Sequence, residues 1–235
     1  MPDVFKLEDI LPSQVDVLIQ QGFKAGMEIP ERISALFEDS LKLFKENAKP
    51  EGIIAEVSNN DFAHIYQGEG KNDFDNPLLR IYPKADYLAL FAVTMGAEVS
   101  KKVETLFQIN DFPVGYMLDT IASLSADSAV EGYEKKYMQS LAKKNYDIKE
   151  NRVLAYSPGY CGWHVSGQKK LFEYLKPEKI GITLNDSFLM NPLKSVSGVL
   201  IAGEKKIHIF PINFYFCQNC KTKTCRQRIK SLIVN

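Results

Sequence analysis

The sequence has no long hydrophobic run, no excess of charge of one sign and few cysteines. Its 235 residues include 29 basic and 29 acidic side chains, so the formal net charge is zero. A neutral chain lacks the basic excess with which a general nucleic-acid-binding protein displaces counterions. The longest apolar stretch, residues 87–95, is far shorter than the roughly 20 residues of a membrane-spanning helix. These absences argue against two classes of function and favour an ordinary globular protein.

Targeting signals and common nucleotide-binding motifs are also missing from the sequence. Residues 1–18 contain acidic side chains and a proline, whereas a signal peptide has a basic segment followed by an apolar one. There is no fixed-period repeat, no low-complexity tract and no glycine-rich loop of the dinucleotide-binding or P-loop type. We therefore expect a cytoplasmic protein built on one large domain, with or without an accessory segment.

The four cysteines are distributed unevenly. Cys217, Cys220 and Cys225 fall within nine residues near the C-terminus, and Cys161 lies in a separate loop rich in proline and glycine. A CxxC pair followed by a third cysteine can bring three sulfurs within reach of one metal centre. Zinc, an iron–sulfur cluster, free or redox-active thiols, and incidental cysteines without a shared role are the alternatives for this tail. The candidates for a fourth ligand are Cys161, His164 and His208.

Hydrophobic periodicity predicts long helices first and strands later in the chain. Helices are predicted over residues 30–46, along an apolar stripe at residues 99–107, from about residue 114 to residue 144, and over residues 166–175. Strands are predicted at residues 53–57, 87–95, 152–156, 181–184, 195–203 and 206–212. This order predicts an α+β domain in which long helices pack on a twisted, meander-like antiparallel sheet.

Local turn and capping chemistry adds two finer predictions. Ser166 precedes a helical segment and is a suitable N-cap residue. The turn at residues 203–205 separates the last two predicted strands and would join them as a hairpin.

Three short motifs occur in a fixed order along the second half of the chain. They are SPGYCGW at residues 157–163, ITLNDSFLM at residues 182–190 and KSVSG at residues 194–198. This set resembles the activation domain of cobalamin-dependent methionine synthase, which carries a PGY loop, a LTESFAM-like stretch and an ASVSG motif at similar separations. Residues 118–119 and 126–131 resemble the long helix of that family, and residues 94–99 resemble its stand-alone relatives.

The resemblance covers roughly residues 85–210 and suggests a division of the chain. Residues 1–84 would form an N-terminal helix-plus-strand segment of the same domain, and residues 85–210 an activation-domain-like core. Residues 211–235 would form a basic, cysteine-rich tail that the family lacks. Because reactivation needs an electron donor, an iron–sulfur cluster in this tail is slightly favoured over zinc.

The resemblance implies a role in cobalt chemistry. Methionine synthase cycles through Co(I), which occasionally oxidises to inactive Co(II). The family's activation domain binds S-adenosylmethionine over the cobalamin, and a one-electron donor such as flavodoxin or ferredoxin reduces the cobalt before its methylation. The implied partner is a corrinoid protein or a methionine synthase core that carries the cobalamin. Since Co(I) is itself the nucleophile, the chain would supply positioning and exclusion of water, without a catalytic acid–base residue.

The resemblance also implies a set of ligand-binding residues. A loop of this type offers backbone amides and an aromatic ring to a small zwitterion, and Glu131 would pair with the ligand's ammonium group. Asp127 lies one helical turn from Glu131, which would place like charges together. Trp163 either anchors the loop by packing or stacks on a flat cofactor. The full predicted set is Glu131, Ser157, Pro158, Gly159, Tyr160, Trp163, Ser197 and Gly198.

Two positions depart from the family's pattern. The family has an arginine five residues before the PGY tyrosine, where it grips the ligand's carboxylate with a bidentate fork, and this chain has Ala155 there. The family also has an aromatic pair after SVSG, whereas this chain has Val199 and Leu200. Arg152 is the nearest arginine, but a shift of three residues along a strand turns a side chain to the other face. S-adenosylmethionine binding is therefore expected to be weakened, and a metal-binding adaptor that has lost this ligand is the alternative.

Overall fold

The structure is a computed structural model, and residues 2–211 are described here. Within these residues the chain forms seven α-helices and seven β-strands, joined by short 3-10 helices and loops. This content confirms the predicted α+β class. Among the described residues, no helix combines the length and the apolar character of a membrane span.

The helices vary from a single turn to more than eight turns. The α-helices are α1 Gln14–Gln20, α2 Glu31–Asn47, α3 Asn59–Gln67, α4 Pro77–Ile81, α5 Ala97–Gln108, α6 Phe112–Ala142 and α7 Gly167–Leu175. The 3-10 helices are Leu7–Asp9, Tyr82–Lys84, Pro177–Ile180 and Lys205–His208.

Five of the strands form one sheet and two form a small separate ribbon. The strands are β1 Asp3–Val4, β2 Glu51–Val57, β3 Tyr87–Thr94, β4 Asn151–Tyr156, β5 Thr183–Leu184, β6 Met190–Asn191 and β7 Ser195–Glu204. The large sheet has the order β1-β2-β3-β7-β4, and β5 pairs with β6. The pairs β1–β2, β4–β7 and β5–β6 are antiparallel. Central strand β3 is buried from residue 88 to residue 94, which explains its continuous apolar sequence.

The strongly periodic elements confirm the predictions from sequence. Helices α2, α5 and α6 and strands β2, β3 and β4 lie within a few residues of their predicted bounds. Helix α3 was not predicted, although Phe62, Ile65 and Tyr66 bury one face at helical spacing. Ser58 is also a typical N-cap residue, and in the structure its Oγ accepts a hydrogen bond from the Asp61 N–H at 3.1 Å.

The predicted strand at residues 206–212 is wrong for the described part of that segment. Residues Lys205–His208 form a 3-10 helix, and β7 pairs with β4, so the predicted hairpin and the meander order are also wrong. In this 3-10 helix His208 is buried, with its Nδ1 2.9 Å from the Tyr156 hydroxyl oxygen. Residue 212 lies outside the described residues.

Ser166 lies at the predicted N-cap position of α7, but it does not cap the helix with its side chain. Ser166 stands at the N-cap position, but its backbone is helical (φ −61°, ψ −16°) and its side chain makes no capping hydrogen bond. Its Oγ lies instead 2.9 Å from His164 Nδ1. The hydroxyl is used to close the turn before the helix.

The described residues form two compact units that are discontinuous in sequence. Unit 1 comprises residues 2–53, 92–132 and 177–196, and unit 2 comprises residues 54–91, 133–176 and 197–211. The suggested division at residues 84 and 210 stays a prediction. In unit 1, α2 packs against α5 and buries aromatic side chains, among them Phe37 and Phe44.

The core of unit 2 contains a cluster of aromatic rings. Phe62 lies 5.2 Å from Tyr82 and 5.7 Å from Trp163, measured between ring centroids, and both contacts are edge-to-face. Tyr66 joins the cluster and donates a hydrogen bond from its hydroxyl to Asn76 Oδ1 at 2.8 Å. Burial raises the pKa of the Tyr66 hydroxyl, so this group stays a donor. The cluster supports the loop that carries Trp163.

Unit 1 contains an ion pair that is largely buried on one side. Lys194 Nζ lies 2.7 Å from Asp119 Oδ1 and donates a hydrogen bond to Ser123 Oγ at 2.8 Å. The lysine side chain is 10% exposed and the aspartate side chain 32% exposed. The lysine therefore depends on Asp119 for its charge compensation more than Asp119 depends on the lysine.

This asymmetry predicts unequal effects of removing each partner. Asp119→Ala should lower the free energy of unfolding by about 2–3 kcal/mol, because it leaves a buried ammonium group unpaired. Lys194→Met should cost less than about 1 kcal/mol, because the carboxylate that remains is hydrated and the methionine fills the volume. Chemical denaturation of the two variants measures both values. A larger loss in Lys194→Met than in Asp119→Ala would contradict this account.

Candidate functional site

The PGY segment forms a tight loop directly after strand β4. The Gly159 N–H donates to the Trp163 carbonyl at 2.7 Å, and the Trp163 N–H donates back to the Tyr160 carbonyl at 3.0 Å. The Tyr160 N–H donates to the Ser157 carbonyl at 3.3 Å. These three amides are used within the loop, so the predicted supply of amides to a ligand is reduced. The Tyr160 side chain is 52% exposed and is the loop's outward aromatic group.

Trp163 lies beneath the loop and not on its surface. Its side chain is 1% exposed, and its ring contacts Phe62 and Tyr66 at centroid distances of 5.7 Å. A side chain at position 167 would collide with the indole Nε1, so Gly167 allows the helix α7 backbone to approach the ring. The observed packing corresponds to the anchoring interpretation of Trp163.

The SVSG motif lies where β7 passes the end of β4. A Cβ atom at Gly198 would collide with the Tyr156 carbonyl oxygen and would lie 3.0 Å from Ser157 Oγ. The Gly198 backbone therefore touches the start of the loop. Ser197 is buried and donates a hydrogen bond to Gln168 Oε1 of α7 at 3.1 Å. Gly198 thus contacts the start of the loop, and Ser197 joins β7 to the helix that follows the loop.

The two positions that depart from the family's pattern are direct cross-strand neighbours. Ala155 pairs with Leu200 in the β4–β7 register, and both residues are buried. The Ala155 N–H donates to Glu134 Oε1 of α6 at 2.6 Å, which satisfies an amide of the sheet's outermost strand. The pair is thus a small apolar patch without a cationic side chain.

Arg152 does not take the place of the missing arginine. Its Nη1 donates hydrogen bonds to the carbonyl oxygens of Ile148 and Asn151, each at 2.8 Å. These contacts hold the guanidinium group at the beginning of β4, whereas the loop follows the end of that strand.

Glu131 and Asp127 belong to helix α6 in unit 1, and the other predicted ligand-binding residues belong to unit 2. Both side chains are exposed at the protein surface. Desolvation by neighbouring protein atoms raises the pKa of the Asp127 carboxyl, and the Glu131 carboxylate adds to the increase. The two carboxylates therefore repel each other, as their spacing predicts.

Of the four proposed metal ligands, only Cys161 lies within the described residues. Cys217, Cys220 and Cys225 lie outside the described residues. Within residues 2–211, no group of three histidine, cysteine, aspartate or glutamate side chains could hold a metal ion. Of the candidates for a fourth ligand, His208 lies next to the Tyr156 hydroxyl and His164 next to Ser166. Cys161 lies in the loop, is partly exposed, and has a φ of 52°.

Sequence reasoning missed two residues that position the loop and its strand. Glu134 binds the Ala155 amide, and Gln168 binds Ser197 across 29 residues of sequence. Glu134 follows Glu131 by three positions, which is a helical spacing, but nothing in the sequence indicates a bond to a strand. Gln168 carries no local signal, because its partner is determined by how α7 packs on the sheet.

The fold and the loop define an α+β domain with a glycine-containing loop after an edge strand, and the comparisons with known proteins identify its family. The family model "Vitamin B12 dependent methionine synthase, activation domain" matches residues 72–213, more than half of the chain. The chain therefore belongs to this family. Its fold is similar to that of a crystal structure of the MetH reactivation domain bound to AdoHcy, with a TM-score of 0.60 and 16% identity. That likeness covers 98% of this chain and 89% of the other. The comparison with curated proteins finds no match.

Replacing two glycines of this site with alanine should lower the stability by different amounts, because one glycine is in steric contact and the other only has a positive φ. Gly198→Ala should destabilise the protein by about 3 kcal/mol, because its methyl group would overlap the Tyr156 carbonyl oxygen. Gly159→Ala is the matched control: its φ of +90° is strained for alanine, but nothing lies within 4 Å, so the cost should be about 1 kcal/mol.

Thermal unfolding followed by the fluorescence of Trp163, the sole tryptophan, measures both variants. Equal losses of stability in the two would show that the β7 backbone does not press on the end of β4.

Proposed function

We propose that the chain is an activation module for a cobalamin-dependent methyltransferase such as methionine synthase. The family match over residues 72–213 carries this proposal, because it includes both the PGY loop and the SVSG motif. Cobalamin bound to the partner supplies the cobalt nucleophile, and this chain assists its reductive reactivation and methylation. Flavodoxin or ferredoxin is the proposed electron donor. An iron–sulfur cluster or zinc held by Cys161, Cys217, Cys220 and Cys225 stays a prediction of the sequence.

The activation role predicts recovery of an oxidised partner. A methionine synthase core without its own activation domain, trapped with Co(II), should regain methyl transfer when the chain, S-adenosylmethionine and an electron donor are added together. The measurement is the rate of methionine formation after addition. The same mixture without the chain is the control. The corrinoid partner should come from the same source as the chain. If its rate of methionine formation recovers equally with and without the chain, the proposal is contradicted.

The ligand-binding part of the proposal begins with the ammonium group of S-adenosylmethionine. We assign this group to Glu131, as the family resemblance implies. The repulsion between Glu131 and Asp127 gives an independent reason, because a cation bound at these carboxylates would relieve it. The exposed ring of Tyr160 is the proposed contact of the PGY loop.

The carboxylate group of the ligand has no comparable partner at the positions that the family uses. Ala155 and Leu200 form a buried apolar pair, and the Arg152 guanidinium binds backbone carbonyls. A charged hydrogen bond contributes about 1.5–3 kcal/mol, so a site without the arginine fork should bind this ligand roughly 10- to 100-fold more weakly. The remaining affinity should come from the amino and adenosine ends.

A series of truncated ligands tests this division. Removing the carboxylate, as in decarboxylated S-adenosylmethionine, should change the dissociation constant by less than about threefold, since no charged bond is lost. Removing the whole aminopropyl chain, and with it the ammonium and the sulfonium charge, as in 5′-methylthioadenosine, should weaken binding by about tenfold or more. Isothermal titration calorimetry of the whole chain measures all three ligands.

Variants of α6 and α5 provide the control for this series. Glu131→Gln should weaken the two ammonium-containing ligands and leave 5′-methylthioadenosine unchanged. Glu104→Gln, which removes an exposed carboxylate from α5, should change none of them. A tenfold preference for S-adenosylmethionine over its decarboxylated form would show that another cation holds the carboxylate, and this part of the proposal would fail.

A further inference from the structure

Unit 2 contains a surface cleft that the proposed function does not use. It has a volume of about 310 Å³ and lies among the end of β2, the beginning of α3, the beginning of β3 and helix α6. Its lining includes two carboxylates, Glu56 and Asp86, and two tyrosines, Tyr87 and Tyr137. The Asp86 N–H donates to the Ala202 carbonyl at 2.8 Å, which places the cleft by the end of β7. The PGY loop follows the other end of the neighbouring strand β4.

The hydroxyl group of Tyr137 is the distinctive feature of this cleft. The residue is 5% exposed, and its buried Oη has no hydrogen-bond partner among the described residues. Buried polar groups are normally satisfied, so an unpaired hydroxyl in the wall of a cleft calls for a partner from outside. Burial raises the pKa of this hydroxyl, and the nearby Glu56 carboxylate raises it further. The hydroxyl is therefore neutral, lies near Glu56, and has lone pairs to offer a donor.

The charges around the cleft favour a cation. Asp86 Oδ2 accepts a hydrogen bond from the Tyr146 hydroxyl at 2.7 Å and has no ion-pair partner among the bonds described for it. Glu56 Oε1 lies 3.2 Å from Lys144 Nζ, and both of these side chains are more than half exposed. Such an exposed ion pair is weak and readily exchanged for another cation. The residues that line the cleft thus include two carboxylates and no lysine or arginine, and only Glu56 of the two carboxylates forms an ion pair among residues 2–211.

Aromatic rings complete the environment. Tyr87 and Tyr146 pack edge-to-face with their centroids 5.4 Å apart, and Tyr87 is 39% exposed. Tyrosine faces attract cations and also cover aliphatic carbon, so they suit an ammonium group attached to a short alkyl chain. A hydrated divalent metal ion would gain nothing from these rings.

We propose that this cleft binds a small aliphatic ammonium compound. The ammonium group donates hydrogen bonds to the Glu56 carboxylate and to the Tyr137 hydroxyl oxygen, Asp86 adds its negative charge, and the alkyl chain lies against Tyr87. The site shares no residue with the S-adenosylmethionine contacts proposed above and does not depend on them.

The probe for this site is 1,4-diaminobutane, and 1,4-butanediol is its neutral control of equal length. Calorimetric titration of the whole chain at low salt should give a dissociation constant of about 1 mM or tighter for the diamine and no binding for the diol. Tyr137→Phe removes the hydroxyl but keeps the ring, and should weaken binding at least about fivefold without lowering the melting temperature. Glu56→Gln should weaken binding by a similar factor.

Glu173→Gln is the matched control, because Glu173 forms an exposed ion pair with Lys170 on α7 and does not line this cleft. Its affinity for the diamine should equal that of the unmodified chain. The proposal fails if the unmodified chain does not bind the diamine at about 10 mM. It also fails if Tyr137→Phe and Glu56→Gln bind the diamine as the unmodified chain does. If Glu173→Gln loses as much affinity as they do, the proposal fails as well, because the diamine would then respond to the overall charge of the protein and not to this cleft.

Discussion

The close approach of β7 to the end of β4 is the contact on which the candidate loop depends. At Gly198 the β7 backbone lies so near the Tyr156 carbonyl that no side chain could fit between them. This contact fixes where the loop at residues 157–163 leaves the sheet. At the other end of the loop, Trp163 is buried among aromatic rings of unit 2. The loop is therefore held at both ends, and Tyr160 between them stays exposed.

The same strand pair decides what the site can recognise. Position 155 faces position 200 across the β4–β7 ladder, so the two positions that depart from the family's pattern are cross-strand neighbours. Here both positions are apolar and buried, and Glu134 of α6 binds the Ala155 amide. The chain keeps the support of the loop and lacks the carboxylate fork, which moves the expected recognition toward the ammonium end of a ligand.

The sequence predicts the fold best where a hydrophobic pattern extends over many residues. Helices α2, α5 and α6 and strand β3 each repeat their buried positions several times, so chance patterns do not mimic them. Residues 206–209 alternate polar and apolar side chains as a strand does, but Lys205–His208 form a 3-10 helix in which His208 is buried beside Tyr156. Ser166 is a residue type that often caps helices, but its hydroxyl group is hydrogen-bonded to the neighbouring His164 ring instead. Short elements are decided by such single contacts.

The sequence by itself determined the α+β class, the ordered PGY and SVSG motifs and the family to which they point, because these are strings of neighbouring residues. It also showed that Ala155 and Leu200 depart from the family's pattern. Only the tertiary structure showed that these two residues face each other, and that Ser197 is bound by Gln168. It alone brought Glu56, Asp86 and Tyr137 to one cleft. The physical reason is that sheet register and helix packing, which join residues distant in sequence, leave no mark on any local pattern.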